Sequence, residues 1–273
     1  MAEVQETDRP VRLAFRIGYL GTGFFGSQFQ PDHRTVEGEI IAACTRAGLI
    51  QDRQSFRLAF SGRTDRGVHA RSQIIAFTTP LPDRARRALP GQLPPDIWAF
   101  GFCEVPERYS PRKHVISRTY RYLYGGRPAN LPQMQEAAEC FIGRHNFRCF
   151  ARIEPDKIPW RTVLAIRVYE EEGICRIEIT AESYLWHMVR GIASALLKVG
   201  NGTLSRDQII RMLSGECTSR IDPAPSEGLI LWDIDDDLSW QPLDPMKRTT
   251  VRLHTEGESY HRVMTEVHHL LML

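Results

Sequence analysis

Apolar and polar side chains alternate from Val11 to Tyr19, the period of a strand with one face buried. Further strands are predicted at 56–60, 72–79, 97–105, 118–124, 163–170, 174–182 and 229–234. Between them the period lengthens. Thr35 is placed to cap a helix running to about Ala47, with Val36, Ile40, Ala43, Cys44 and Ala47 on one face and Gly48 as its stop. Residues 83–89 read as a short basic helix and 133–142 as another. A long helix is expected over 184–199, with Leu185, Met188, Val189, Ile192, Leu196 and Val199 on its apolar side. Ser205 caps a last helix over 206–213.

The strand pairs within 56–79 and 163–182 have short connections, which force antiparallel pairing. The class is therefore α+β: two lobes of mostly antiparallel sheet, each backed by helices. The first lobe is expected at 1–105, the second at 106–238, and a tail at 239–273 that ends in an amphipathic stretch at 263–271.

Composition narrows the class little. Of 273 residues, 42% are hydrophobic and 25% charged, ordinary for a soluble globular chain. No apolar run approaches the roughly 20 residues that span a bilayer, and the polar, acidic N-terminus does not resemble a secretory signal. A cytoplasmic location with no membrane partner is expected. The six cysteines are scattered without metal-ligand spacing, and read as reduced, buried hydrophobes rather than disulfides. The net charge of +2 says little about partners, but the arginines are uneven. Arg84, Arg86 and Arg87 form one cluster. Arg108, Arg112, Lys113, Arg118, Arg121 and Arg127 form another, interleaved with Tyr109, Tyr120, Tyr122 and Tyr124. Such a set can neutralise phosphates and stack on unpaired bases; it equally describes a solvated strand face with structural tyrosines.

Candidate chemistry sits in the polar turn Ser61-Gly62-Arg63-Thr64-Asp65-Arg66-Gly67. Its glycines let the backbone turn sharply and approach a ligand. Asp65 falls at the tip, with Arg63 and Arg66 close in sequence, and a nearby cation keeps a carboxylate ionised and able to act as a nucleophile. On these residues alone the segment is also an ordinary turn with a surface ion pair.

The segment running on through Val68-His69-Ala70 resembles the Gly-Arg-Thr-Asp signature of the tRNA pseudouridine synthase A family. Other stretches are similar to that family in the same order: Tyr19-Leu20-Gly21-Thr22-Gly23-Phe24-Phe25-Gly26, Thr35-Val36-Glu37-Gly38-Glu39, Ser117-Arg118-Thr119-Tyr120-Arg121-Tyr122, His187-Met188-Val189-Arg190-Gly191-Ile192 and Ala224-Pro225-Ser226-Glu227-Gly228-Leu229. They cover the chain from about residue 12 to 234. Ser27 departs from the pattern, since tryptophan is common there, and Arg66 stands where many bacterial members have alanine.

The resemblance implies a pseudo-symmetric pair of lobes with joined sheets and a central basic cleft. It implies isomerisation of uridine to pseudouridine at tRNA positions 38, 39 and/or 40, with no cofactor and no metal. By resemblance Asp65 is the essential carboxylate, Arg190 pairs with it, and Tyr120 lies against the target base, with a hydroxyl able to take part in proton transfer. Arg63 and Arg66 are candidates for phosphate contact and Leu229 for packing near the base, while Tyr122 is read as structural. A homodimer is implied as well. Two other readings are weighed: a tRNA-binding protein without catalysis, and a glycosidase needing a second carboxylate, for which Glu227 is the candidate. His69 is expected to support its loop, and His145 and His187 have no partner at metal spacing. His114, His254, His261, His268 and His269 read as surface or tail residues.

Overall fold

The computed structural model describes residues 10–50, 53–217 and 219–243. The amphipathic stretch at 263–271 and His254, His261, His268 and His269 lie outside them. The first half of the chain contains β1 (Val11–Tyr19), α1 (Val36–Arg46), α2 (Arg53–Phe56), β2 (Ala59–Phe60), β3 (His69–Thr79), α3 (Pro82–Gln92) and β4 (Ile97–Val105). The second contains α4 (Pro111–His114), β5 (Ser117–Leu123), α5 (Leu131–Glu139), β6 (Gly143–Asn146), β7 (Trp160–Glu171), β8 (Ile174–Ala181), α6 (Met188–Gly200), α7 (Arg206–Ser214), β9 (Leu229–Asp235) and β10 (Gln241–Pro242).

The ten strands among the described residues belong to one mixed sheet, in the order β10-β4-β1-β3-β9-β5-β8-β7-β6, with β2 added on β3. Among the described residues every pairing is antiparallel except one. That exception joins the halves: β3 meets β9 in parallel, His69 opposite Ile230 and Ala70 opposite Leu231. Helices α1 and α3 pack together, with α3 against β1 and β4; α5, α6 and α7 pack on β5, β6 and β7. The expected α+β class with its antiparallel strand pairs is therefore what forms. The tail expected from residue 239 begins as part of the sheet, since Gln241 and Pro242 pair with Phe102 and Gly101.

Local chemistry explains the element ends. The Thr35 hydroxyl accepts from Gly38 N at 3.2 Å, and Ser205 forms a reciprocal capping box with Gln208. Gly48 stops α1 with φ 67°, in the left-handed region that glycine enters without a Cβ penalty.

Three expectations are corrected. Residues 56–60 are not one strand: α2 ends at Phe56, Arg57 takes φ 43°, and only Ala59 and Phe60 pair. The short apolar pattern could not separate the two states, because Phe56 reaches the core from a helical turn, its ring stacked 4.9 Å from that of Phe77. The helix expected from residue 184 starts at Met188, after His187 at φ 66°. Tertiary bonds override helix propensity there: the Tyr184 hydroxyl lies 2.8 and 2.7 Å from the carbonyls of Arg118 and Ile179. Arg152 N donates to Trp186 O at 2.8 Å. The cysteines are not all isolated either. The fold brings Cys149 and Cys217 together, their Cα atoms 5.5 Å apart, within the span a disulfide needs. Only the tertiary fold brings together two residues so distant in sequence.

Helix α6 approaches the segment before it closely. A Cβ on Gly191 would stand 1.9 Å from Phe150 O. Gly191→Ala is therefore expected to cost about 1–3 kcal/mol, the usual range for overpacking, read as a lowered urea midpoint. Unchanged stability would show that α6 can move off Phe150. A second constraint lies where β3 begins. Gly21 N donates to His69 Nδ1 at 3.2 Å, and burial pushes the His69 pKa below its usual 6.5, with Glu227 opposing the shift. Below pH 6.5 the unfolded chain binds more protons at this site than the native one, so stability falls as pH drops through that range. A His69→Asn variant is expected to show a flatter stability profile between about pH 5 and 6.5; an identical slope would remove His69 as the cause.

Candidate active site

The turn carrying Asp65 is braced from several directions. Ser61 N donates to Ile74 O at 2.9 Å, Gln73 Nε2 to Gly62 O at 2.9 Å, and the Ser61 hydroxyl meets Gln73 Oε1. Thr64 is gripped on both backbone groups: its N–H donates to Ser27 Oγ at 2.8 Å and its carbonyl accepts from Ser27 N at 3.0 Å. Its hydroxyl shares a 2.8 Å hydrogen bond with that of Tyr19. Ser27, Ser61, Thr64 and Gln73 are all buried, and their polar atoms are satisfied by hydrogen bonds between the turn and the segments beside it. Gly26 (φ 97°) and Gly67 (φ 82°) let the backbone turn against neighbouring segments. A side chain on Gly67 would press on Ser226 and Glu227.

The Asp65 carboxylate is about one-third exposed and is met by three groups from the second half of the chain. Trp186 Nε1 donates to Oδ1 at 3.0 Å. His187 Nε2 stands 3.4 Å and Arg190 Nη1 3.6 Å from Oδ2. Arg190 is itself held: its Nε donates to Ala224 O at 2.6 Å, and its carbonyl accepts from Ala224 N at 3.0 Å. Trp186 and His187 precede α6, and Arg190 lies in its first turn, so one irregular entry into a helix delivers all three. Burial lowers the His187 pKa; Asp65 opposes that, while Arg190, Arg220 and Arg152 add to it. At neutral pH the imidazole is uncharged, which leaves Arg190 as the cation on Asp65.

Tyr120 lies on β5, buried, with its ring edge-on to Tyr184 at 5.0 Å between centroids. Burial, helped by the charges of Tyr19 and Asp65, raises its pKa against the pull of Arg118. Its phenol keeps its proton at neutral pH. Tyr122 is buried beside Tyr124, their rings 5.1 Å apart, and Leu229 is buried opposite Tyr122 in the β5–β9 pair.

Arg63 and Arg66 are exposed, and neither forms an ion pair with Asp65. The Arg66 guanidinium lies 4.2 Å from the ring centre of Phe25, which stacks on His33 at 4.2 Å. Much of the second basic cluster is engaged inside the fold. Arg118 is buried against carbonyls, Arg121 pairs with Glu178 and covers Trp232 at 3.3 Å, and Arg127 pairs with Glu170 at 2.8 Å. No carboxylate is among the groups bonded to Asp65. Glu227 instead borders Gly67 and acts on His69. Among the described residues no group of three or more His, Cys, Asp or Glu side chains is arranged for a metal, and no helix is long and apolar enough to cross a membrane.

Trp186 and His187 were not anticipated as partners of Asp65. His187 opens the stretch that resembles the family and Trp186 adjoins it, a signal masked by the expectation of a continuous helix.

The family model for tRNA pseudouridine synthase matches residues 137–235. A tRNA pseudouridine synthase A of Methanosphaerula palustris is 48% identical over 239 residues, covering 88% of this chain and 85% of that protein. Relatives of the same name from Methanoculleus marisnigri and Thermococcus kodakarensis are 46% and 41% identical, over 94% and 82% of this chain and 94% and 85% of their own lengths. With that likeness running through both halves that meet at Asp65, this chain belongs to the tRNA pseudouridine synthase A family of isomerases.

Proposed function

We propose that this protein isomerises uridine to pseudouridine in the anticodon stem-loop of tRNA, at position 38, 39 and/or 40, with Asp65 as nucleophile. The observation that carries the reading is the carboxylate itself. It is open to solvent on a braced turn, charge-paired with Arg190, and close to a buried, protonated tyrosine.

The reaction breaks the N1–C1′ bond, turns the uracil, and joins C5 to C1′; the C5 proton leaves and N1 ends protonated. It is an isomerisation, so atoms and electrons balance without a cofactor. Asp65 serves either by bonding to C1′ as the base departs or by acting on the sugar or base along another route, with Arg190 as its ion-pair partner in each case. The Tyr120 ring supplies a surface for the extruded uracil, and its hydroxyl is a proton donor in its resting form. Leu229 extends that surface. Arg63 and Arg66 are exposed cations beside the turn, suited to the phosphates flanking the target. The substrate RNA runs between lobes 1–105 and 106–238, in the basic cleft. The protein acts in the cytoplasm as a homodimer that requires no metal.

Asp65→Asn keeps the shape of the side chain and removes its charge. It is expected to abolish tritium release from tRNA labelled at uridine C5, while binding of the same tRNA stays within about threefold, since the charge lost is paired within the protein. Turnover at near wild-type rate would remove Asp65 from the chemistry.

A further inference from the structure

The two oxygens of the Asp65 carboxylate are held differently. Arg190 and His187 both approach Oδ2, at 3.6 and 3.4 Å, whereas Oδ1 is bonded by Trp186 Nε1 alone, at the shorter distance of 3.0 Å. A carboxylate turns easily about its last torsion, which has no steep staggered wells. The two oxygens turn together about that bond; the Oδ2 contacts at 3.4 and 3.6 Å are longer than an ordinary hydrogen bond, and the indole bond at 3.0 Å is the one short enough to fix the plane. Indole is a donor only, so this contact cannot reverse, and a charged acceptor makes it one of the stronger kind. A carboxylate oxygen has two lone pairs, so Oδ1 can take this bond and still present an electron pair to a substrate atom.

Trp186 is itself fixed on several sides. The Arg152 guanidinium lies 4.3 Å from its ring centre, Arg152 N bonds its carbonyl, and His187 follows at φ 66°. That left-handed backbone is uncommon for a non-glycine residue, and here α6 begins only after it, at Met188, so Trp186 lies outside the helix. The ring remains 39% exposed, so it borders the site rather than filling the core.

We propose that Trp186 is a positioning residue for the isomerisation: its indole N–H sets the direction in which Asp65 Oδ1 meets the target nucleotide. This rests on the reading of Asp65 as nucleophile. Misdirecting a reacting group by a fraction of an ångström is costly to rate and nearly neutral to binding.

The test compares Trp186→Phe, which keeps a ring for Arg152 but loses the donor, with Trp186→His, which restores a ring N–H, and with Asp65→Asn. Steady-state tritium release from anticodon stem-loop RNA gives kcat and KM, and thermal unfolding checks the fold. Trp186→Phe is expected to lower kcat about tenfold or more with KM within about twofold, and Trp186→His to recover part of the loss. Wild-type kcat in Trp186→Phe, a loss confined to KM, or equal losses in both variants would overturn the proposal. If Asp65→Asn itself turns over, the nucleophile reading falls and this inference falls with it. An inactive Asp65→Asn beside a fully active Trp186→Phe sinks the inference alone.

Discussion

One buried guanidinium ties the two halves of this site together. Arg118 on β5 is buried, and its bonded partners are backbone carbonyls: Ser61 O at 2.7 and 3.2 Å, Glu182 O at 2.8 Å and Arg112 O at 3.1 Å. Ser61 opens the turn that carries Asp65, and Glu182 opens the segment that delivers Trp186 and His187. The same side chain thus sets the distance between the carboxylate and the groups that meet it. A buried cation without such partners would be severely destabilising. Burial pushes the Arg118 pKa down, and several carbonyls share the charge in place of one carboxylate. Its own carbonyl is engaged by Tyr184, whose ring in turn sits against Tyr120. Backbone pairing reinforces the junction nearby, where β3 and β9 meet just beyond the Asp65 turn.

The fold was legible where burial imposes a clear period. Strand β1, helix α1 with its Thr35 cap and Gly48 stop, and the β7–β8 pair form where alternation or capping chemistry placed them. Failures came where a tertiary partner outweighs the local pattern. Residues 184–187 have helical periodicity, yet Tyr184 and Trp186 are bonded to other segments and His187 turns the chain. The parallel β3–β9 contact involves only two residue pairs, too few for any periodicity to reveal.

At the site itself, sequence order singled out Asp65, and the resemblance added Arg190 and Tyr120. The charge pattern misled about neighbouring arginines. Arg63 and Arg66 flank Asp65 in sequence but form no ion pair with it, while Arg118 and Arg121, read as a basic strand face, are occupied by carbonyls and Glu178. Charge counts do not say which cations are already paired. Ser27 is instructive in another way. It departs from the family's common tryptophan, and its small hydroxyl fits where it can clamp both backbone groups of Thr64. The turn is thus stiffened by hydrogen bonds.

The account centres on a nucleotide seated between a carboxylate from the first half of the chain and the aromatic and cationic groups of the second. A crystal structure with an anticodon stem-loop carrying 5-fluorouridine at the target position tests that arrangement most directly. The account predicts the target nucleotide extruded from the stem, its base against Tyr120, and an Asp65 oxygen as the nearest carboxylate oxygen to its sugar or ring. A target nucleotide held elsewhere, or facing a different carboxylate, would contradict it.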